Sequence, residues 1–453
     1  MSNRLSEAQH PKTFCDKKPP FDQLAAAVES SRCYFCYDAP CIKACPTQIN
    51  IPQFIRRIST GNIKGAATEI LDANIMGGTC ARVCPVETLC EEACVRNTAE
   101  DKPVTIGQLQ RYATDWILEK KVQPFTRAPS TGKKIAVVGA GPAGLSCAHK
   151  LATLGHQVTV FEAKEKSGGL NEYGLAAYKM VDEFAQKEVE FILAVGGIEI
   201  RHGHALGKKI TLTQLRKDFD SVFLGTGLTG VNELGIEGET LEGVVDAVDY
   251  ISQIRQSKDL SLIPVARRIV VIGGGNTAID IAVQSKLLGA EDVTLVYRRG
   301  VENMGATWVE RELAQKNGIL IKTWSKPVKI HGNSNGVTQI EFEKTKLDSL
   351  GKLVDTGERF KIDCDVVFKA IGQMLRLEDL GDAPDLLQIS KGRIVVDEKR
   401  KTTLAGVYAG GDCINGGVLT VNSVQDGKIA ALSIDAWLNQ KVGPTFDKGA
   451  SRG

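Results

Sequence analysis

Lys134-Ile-Ala-Val-Val-Gly-Ala-Gly-Pro-Ala-Gly-Leu145, followed by Gln157-Val-Thr-Val-Phe-Glu162, decides the fold. Ile135 to Val138 is an apolar, largely β-branched run, the pattern of a buried strand. It breaks into Gly139, Gly141 and Gly144, with Ala143 among them, and turns helical through Leu145, Ala148, Leu151 and Ala152. Such a loop lets backbone approach a pyrophosphate and seats it on the N-terminal amides of the next helix. Glu162 closes a second strand, where a carboxylate can bond the ribose hydroxyls of an adenosine. G-x-G-x-x-G alone is compatible with an ordinary glycine turn. Strand, helix, second strand and acid together select a dinucleotide.

A second copy lies downstream. Arg268-Ile-Val-Val-Ile-Gly-Gly-Gly-Asn-Thr-Ala278 carries Gly273, Gly275, Asn276 and Thr277, with Ala278 in place of the third glycine. A helix through Leu288 and the strand Asp292-Val-Thr-Leu-Val-Tyr-Arg-Arg299 follow. Where the first copy has Glu162, this one has Arg298 and Arg299. A carboxylate repels a 2′-phosphate, whereas arginine pairs with it. The first copy is therefore read as the FAD site and the second as an NADPH site, with NADH the alternative. Gly168-Gly169-Leu170 and Ser221-Val-Phe-Leu-Gly225-Thr226-Gly227 continue the flavin unit. Val407-Tyr-Ala-Gly-Gly411-Asp412 returns to it, before a helix starting near Thr420 whose N-terminal dipole can stabilise charge on a reduced flavin ring. The expected class is α/β, with two nested Rossmann-like domains.

Upstream lie Cys33-x2-Cys36-x4-Cys41-x3-Cys45-Pro46 and Cys80-x3-Cys84-Pro85-x4-Cys90-x3-Cys94. Eight clustered thiols with Cys-Pro endings point to two four-iron clusters, each needing four soft ligands. A pair of structural zinc sites is the alternative, but the usual Cys-x2-Cys pairing occurs only once. Cys15, Cys147, Cys364 and Cys413 stand alone and read as ordinary small residues. Helices are expected over 51–76 and 106–121. The polar, proline-bearing first 25 residues read as an arm on a surface. The expected domains are 1–125, helical and iron–sulfur; 130–260 with 390–445, FAD-binding; and 262–388, NAD(P)H-binding.

The 453 residues have a formal charge of +2, which leaves no footprint for nucleic acid or an anionic membrane. No apolar run approaches a spanning helix and no signal core precedes residue 10, so a cytoplasmic setting is expected. There, twelve cysteines suit metal better than disulfides. The six histidines offer no ligand set.

Taken together these motifs resemble the electron-input half of dihydropyrimidine dehydrogenase and, more widely, the glutamate synthase small subunit, from about residue 20 to residue 440. Asp38-Ala-Pro-Cys41 is similar to the pyrimidine enzymes, and Gln110 falls where those enzymes use a glutamine as cluster ligand. The resemblance implies Cys33, Cys36, Cys41 and Cys94 around one cluster and Cys45, Cys84, Cys90 and Gln110 around the other. Cys80, which spacing alone makes a ligand, is then spare. Leu175-Ala-Ala-Tyr178 departs from the family's Ile-Pro-x-Phe. The resemblance also implies electron flow from NAD(P)H through FAD and [4Fe-4S] clusters to an FMN-containing catalytic subunit resembling PreA, within a hetero-oligomer. Uracil or thymine is reduced on that subunit. No side-chain acid or base is expected to be catalytic in this chain.

Overall fold

The computed structural model describes residues 13–441. Helices come first: α1 (Gln23–Ser31), α2 (Ile51–Ser59), α3 (Ile63–Ala73), α4 (Gly77–Val83) and α5 (Ile106–Glu119). The side chains of Asp22, Asn50 and Asn62 cap α1, α2 and α3 by accepting from backbone N–H groups of the first turn. Phe54, Ile55, Ile70, Leu109 and Ile117 have no exposed surface and form the centre of this bundle. Each contributes roughly 1.5–3 kcal/mol by burial. The arm is more than a surface tail. Phe14 is buried among Tyr178, Tyr250 and Ile251, and Lys17 N donates to Tyr178 O. The arm's residues 1–12 lie outside the described residues.

Five strands make the first sheet: β1 (Lys134–Val138), β2 (Gln157–Phe161), β3 (Ile198–Arg201), β4 (Ser221–Leu224) and, far downstream, a strand at Val407–Ala409. They are all parallel, in the order Val407–Ala409, β4, β1, β2, β3. Helix α6 (Pro142–Thr153) connects β1 to β2, and α7 (Phe184–Leu193) precedes β3. Parallel sheets require both faces covered, which explains the unbroken apolar runs at β1 and β4.

A second parallel sheet holds β5 (Val244–Asp246), β6 (Arg268–Ile272), β7 (Asp292–Val296), β8 (Leu320–Lys322) and a strand at Val366–Lys369, which lies between β5 and β6. Helix α8 (Asn276–Leu287) links β6 to β7, and α9 (Trp308–Lys316) precedes β8. Ser325–Asn333, Gly336–Leu347 and Leu353–Asp363 form a separate antiparallel sheet. Because β5 pairs in the second sheet, we place the start of that unit at or before residue 244, ahead of the expected 262. Gly230–Val231 pairs with Gln373–Met374, and Leu375, Leu380 and Leu387 pack on the first unit's core. We place both chain crossings at this two-stranded ribbon. The long α10 (Thr420–Lys441) then lies along α6.

The helical domain is pinned to the first unit by buried polar contacts. Glu188 on α7 accepts from Thr79 N (2.9 Å) and from the Thr79 hydroxyl. Gly78 permits that approach: a Cβ there would lie 2.5 Å from Phe184 and 3.0 Å from Glu188 Oε1. Burial pushes the Glu188 carboxyl up to about 7. A carboxyl raised in the folded state binds more protons than in the unfolded chain between its ordinary 4.5 and about 7, so stability falls as pH rises across that window. Glu188→Gln should therefore match the parent's melting temperature at pH 5 and exceed it at pH 8, where the carboxylate costs about 3 kcal/mol. Thermal melts at the two pH values check this. A variant equally or less stable at pH 8 contradicts it.

Candidate functional site

The glycines of the first turn divide into two kinds. Gly139 (φ +94) and Gly144 are packed: added Cβ atoms would sit 2.3 Å from Gly225 O and 1.9 Å from Gly139 O respectively. Gly141 is open, its nearest neighbour being Gly169 Cα at 3.8 Å. Gly141 also caps α6 without a side-chain hydrogen bond. The cradle is thus a backbone surface beside helix N-terminal amides, the feature that suits a pyrophosphate. Glu162 is buried, and its two oxygens accept from Ala140 N (2.7 Å) and Lys164 N (2.8 Å). Each oxygen keeps an acceptor position for a ribose hydroxyl.

The return segment closes on this cradle. Gly411 (φ +79) would bring a Cβ within 2.9 Å of Ala143. Burial raises the Asp412 carboxyl, and Ser423 Oγ donates to it at 3.3 Å. Thr420 Oγ1 donates to Asn171 Oδ1 at 3.2 Å, drawing the start of α10 onto the Gly169-Leu170 turn. Asn422 Oδ1 and Gln425 Oε1, in the first turns of α10, are buried with no hydrogen-bond partner. Orphaned acceptors of this kind fit a bound polar ring system. Neither residue, nor Asn171, carried a sequence signal, since each sits singly in unremarked surroundings. The features present fit FAD.

The second turn repeats the logic. Gly273 and Gly274 are packed against Ala370 O (2.2 Å) and the Tyr297 ring (2.5 Å), whereas a Cβ on Gly275 would meet nothing within 4 Å. Asn276 Oδ1, at the start of α8, is buried without a partner, and Ala278 is fully buried. Arg298 and Arg299 are exposed at the end of β7, and their carbonyls accept from Thr345 Oγ1 and Trp324 N. This turn fits a nicotinamide dinucleotide. Leu175–Tyr178, the stretch that departs from the family pattern, is tied to the second unit. Ala177 N donates to Gln284 Oε1 at 2.9 Å and the Tyr178 hydroxyl to Asp280 Oδ1 at 3.1 Å. The adjacent Lys179 ion-pairs with both Asp280 and Glu310 at 2.7 Å.

We assign the 2′-phosphate contact to the two arginines. Changing both to Ala should weaken NADPH binding roughly ten- to hundred-fold, the worth of charged hydrogen bonds of ~1.5–3 kcal/mol, and leave NADH nearly unaffected. Parallel KM measurements check this. Equal losses on both nucleotides would contradict it.

Four of the eight cysteines surround one cavity: Cys33, Cys36, Cys41 and Cys94, walled by Ile51, Ile55, Val104 and Ile106. Burial raises the Cys33 and Cys41 thiols, and the neighbouring sulfurs raise them further. Cys84 is raised by a thiol contact from Cys80, by burial, and by Cys90 and Cys45. Crowded thiols without a cation behave this way, and iron reverses it by holding them as thiolates. Among the described residues no three His, Cys, Asp or Glu side chains converge as a single-ion site. The first set surrounds a space instead, which fits a cluster. Gln110 is buried, with Nε2 anchored on Gly77 O at 2.7 Å. Cys80 thus lies against Cys84 in the second set, whereas Gln110 is held on Gly77, three residues before Cys80.

Two family models match the chain: pyridine nucleotide-disulphide oxidoreductase over residues 133–427, and dihydropyrimidine dehydrogenase domain II, 4Fe-4S cluster, over residues 10–122. The chain is 32% identical over 423 residues to the NAD-dependent dihydropyrimidine dehydrogenase subunit PreT homolog of Salmonella typhi, covering 93% of this chain and 96% of that one. It is also 32% identical to the glutamate synthase [NADPH] small chain of Escherichia coli K12, with 94% of each chain covered. The structure of Mycobacterium tuberculosis FprA in complex with NADPH matches with a TM-score of 0.58 and 21% identity, over 69% of this chain and 85% of that one.

Proposed function

We propose, for a chain that belongs to the pyridine nucleotide-disulphide oxidoreductase family and carries a 4Fe-4S domain ahead of it, the role of electron-input subunit in a dihydropyrimidine dehydrogenase. It is an NAD(P)H-dependent flavin and iron–sulfur oxidoreductase, and its relatives are named as subunits. Gly275, Asn276, Thr277 and Ala278, with Gly273, hold the nicotinamide nucleotide. Gly139, Gly141, Ala143, Gly144, Glu162, Gly169, Leu170, Gly225–Gly227, Gly411, Asp412 and Thr420 hold FAD. When bound, FAD supplies the conversion between a two-electron nicotinamide donor and one-electron iron–sulfur centres. The cysteine sets, with Gln110, would hold two [4Fe-4S] clusters, which would supply one-electron transfer toward a separate FMN-containing subunit resembling PreA that reduces uracil or thymine.

The protein's own side chains hold, orient and shield; none need exchange a proton with substrate. The Lys179 pairs fix the second unit against the first, and the buried α4–α7 contact fixes the cysteine domain beside the flavin unit. The observation that carries the reading is this one chain's combination of two open glycine cradles with a docked, cysteine-lined domain. The glutamate synthase small chain is the second reading, favoured by an identity equal to that of the PreT homolog. Gln110 favours the first reading, because it resembles the glutamine cluster ligand of the pyrimidine enzymes.

The test is purification of the tagged chain with its natural partner. The expected complex contains FMN and oxidises NAD(P)H faster when uracil is added. Acceleration by glutamine with 2-oxoglutarate instead would overturn the pyrimidine assignment.

A further inference from the structure

A cavity of about 100 Å³ lies on the seam between the helical domain and the first dinucleotide unit. Its wall includes Asp72 from α3, Phe125 and Thr126 from the linker, His149 and Lys150 from α6, and Lys428 from α10. The space exceeds the ~10–15 Å³ that a single water requires. It also falls well short of the ~300 Å³ at which pockets for drug-sized ligands begin. A nucleotide is excluded on size.

Its lining is unbalanced. His149 is 5% exposed, and its Nε2 is buried with no hydrogen-bond partner. The Phe125 ring meets the imidazole edge-on, with centroids 5.1 Å apart. Burial, reinforced by Lys150, presses the imidazole pKa down to about 3, so it stays neutral with one N–H to give. Lys428 spends one N–H on Ala73 O at 2.8 Å and retains two. Burial and Lys150 lower the Lys428 ammonium, while Asp72 and Cys45 raise it. Two ammonium groups and an unpartnered imidazole nitrogen thus line the cavity with one carboxylate. An unpartnered buried polar atom costs about 1–3 kcal/mol, and a small anion would satisfy the donors together.

We propose that this cavity binds a small oxyanion of the carboxylate or phosphate class, held by Lys150, Lys428 and the Nε2–H of His149. It is separate from both dinucleotide cradles and from the cysteine-lined cavity. It lies beside the helix that carries the flavin turn. The ligand therefore bridges the two parts of the protein that the proposed electron path must cross.

Calorimetry on the intact, FAD- and iron-loaded chain tests this, with sodium phosphate and sodium acetate as probes at constant ionic strength and sodium chloride as control. The expected result is saturable single-site binding of one or both oxyanions at millimolar concentration or below, and none of chloride. Binding of only one identifies the source of the oxyanion. Lys150→Met, at a half-exposed position, should weaken binding at least ten-fold with FAD content unchanged. Lys428→Met should do the same, with Lys150→Met deciding if loss of the Ala73 bond loosens the seam. Heats matching chloride, heats unchanged in Lys150→Met, or a phosphate-soaked crystal showing only water there would overturn the site.

Discussion

A Gly141→Val chain should purify as a folded, soluble protein that has lost its flavin. Gly141 has extended backbone angles (φ −81, ψ −176) that any residue adopts. Its Cβ direction is open, with Gly169 Cα the nearest atom at 3.8 Å. The substitution therefore places methyl groups where the protein has no atoms and the proposed pyrophosphate must lie. Losing two charge-assisted backbone hydrogen bonds at ~1.5–3 kcal/mol each weakens binding by a hundred-fold or more. Flavin absorbance per chain after gel filtration, beside a circular dichroism spectrum, checks this. Gly144→Val is the contrasting control. Its Cβ would sit 1.9 Å from Gly139 O, so the fold itself should fail. Full flavin content in Gly141→Val would remove the cradle from the FAD site.

Cys45→Ser should separate two activities. Cys45 is buried, with its sulfur 3.3 Å from Thr47 Oγ1, and it joins the same packed core as Cys90. Serine keeps the volume close to that of the parent but is a poor ligand for iron. In the complex with the FMN subunit, uracil reduction should fall at least a hundred-fold, because the relay loses a cluster. Ferricyanide reduction by NAD(P)H should stay within two-fold, since bound FAD can be drained directly. Iron per chain should drop by about half if, as proposed, one of two four-iron sites fails. Gln110→Ala should act in the same direction, and Cys80→Ser should leave both clusters in place. Parallel loss of both activities would mean that Cys45 holds the fold rather than a cluster.

The parts legible in the sequence were those with a strong local pattern. Lys134–Val138 and Arg268–Ile272 form their strands, each followed by a helix that starts at the expected glycine turn. Thr420 starts the long helix. Cys33, Cys36, Cys41 and Cys94 meet at one cavity although Cys94 is far along the chain. Their grouping came from family resemblance, since spacing alone cannot pair distant thiols. Val244–Asp246 was missed as the second sheet's edge because three half-buried residues carry no periodicity. Gly230–Val231 and Gln373–Met374 are two-residue strands, too short for any period to show. Phe14 sits in a polar arm, and only the tertiary fold gathers it into a core cluster with Tyr178 and Tyr250. Asn422, Gln425 and the Lys179–Asp280–Glu310 clamp depend on contacts between distant segments, which no local pattern announces.

In the role proposed for it, this chain takes electrons from NAD(P)H and hands them to a pyrimidine site carried elsewhere. Anaerobic NAD(P)H oxidation by the isolated holoprotein, with ferricyanide, with uracil, and with uracil plus the FMN subunit, tests it most directly. Rapid turnover is expected with ferricyanide, none above background with uracil alone, and uracil-dependent turnover once the FMN subunit is added. Uracil turnover by the isolated chain, or ferricyanide turnover with no uracil response after the subunit binds, would contradict it.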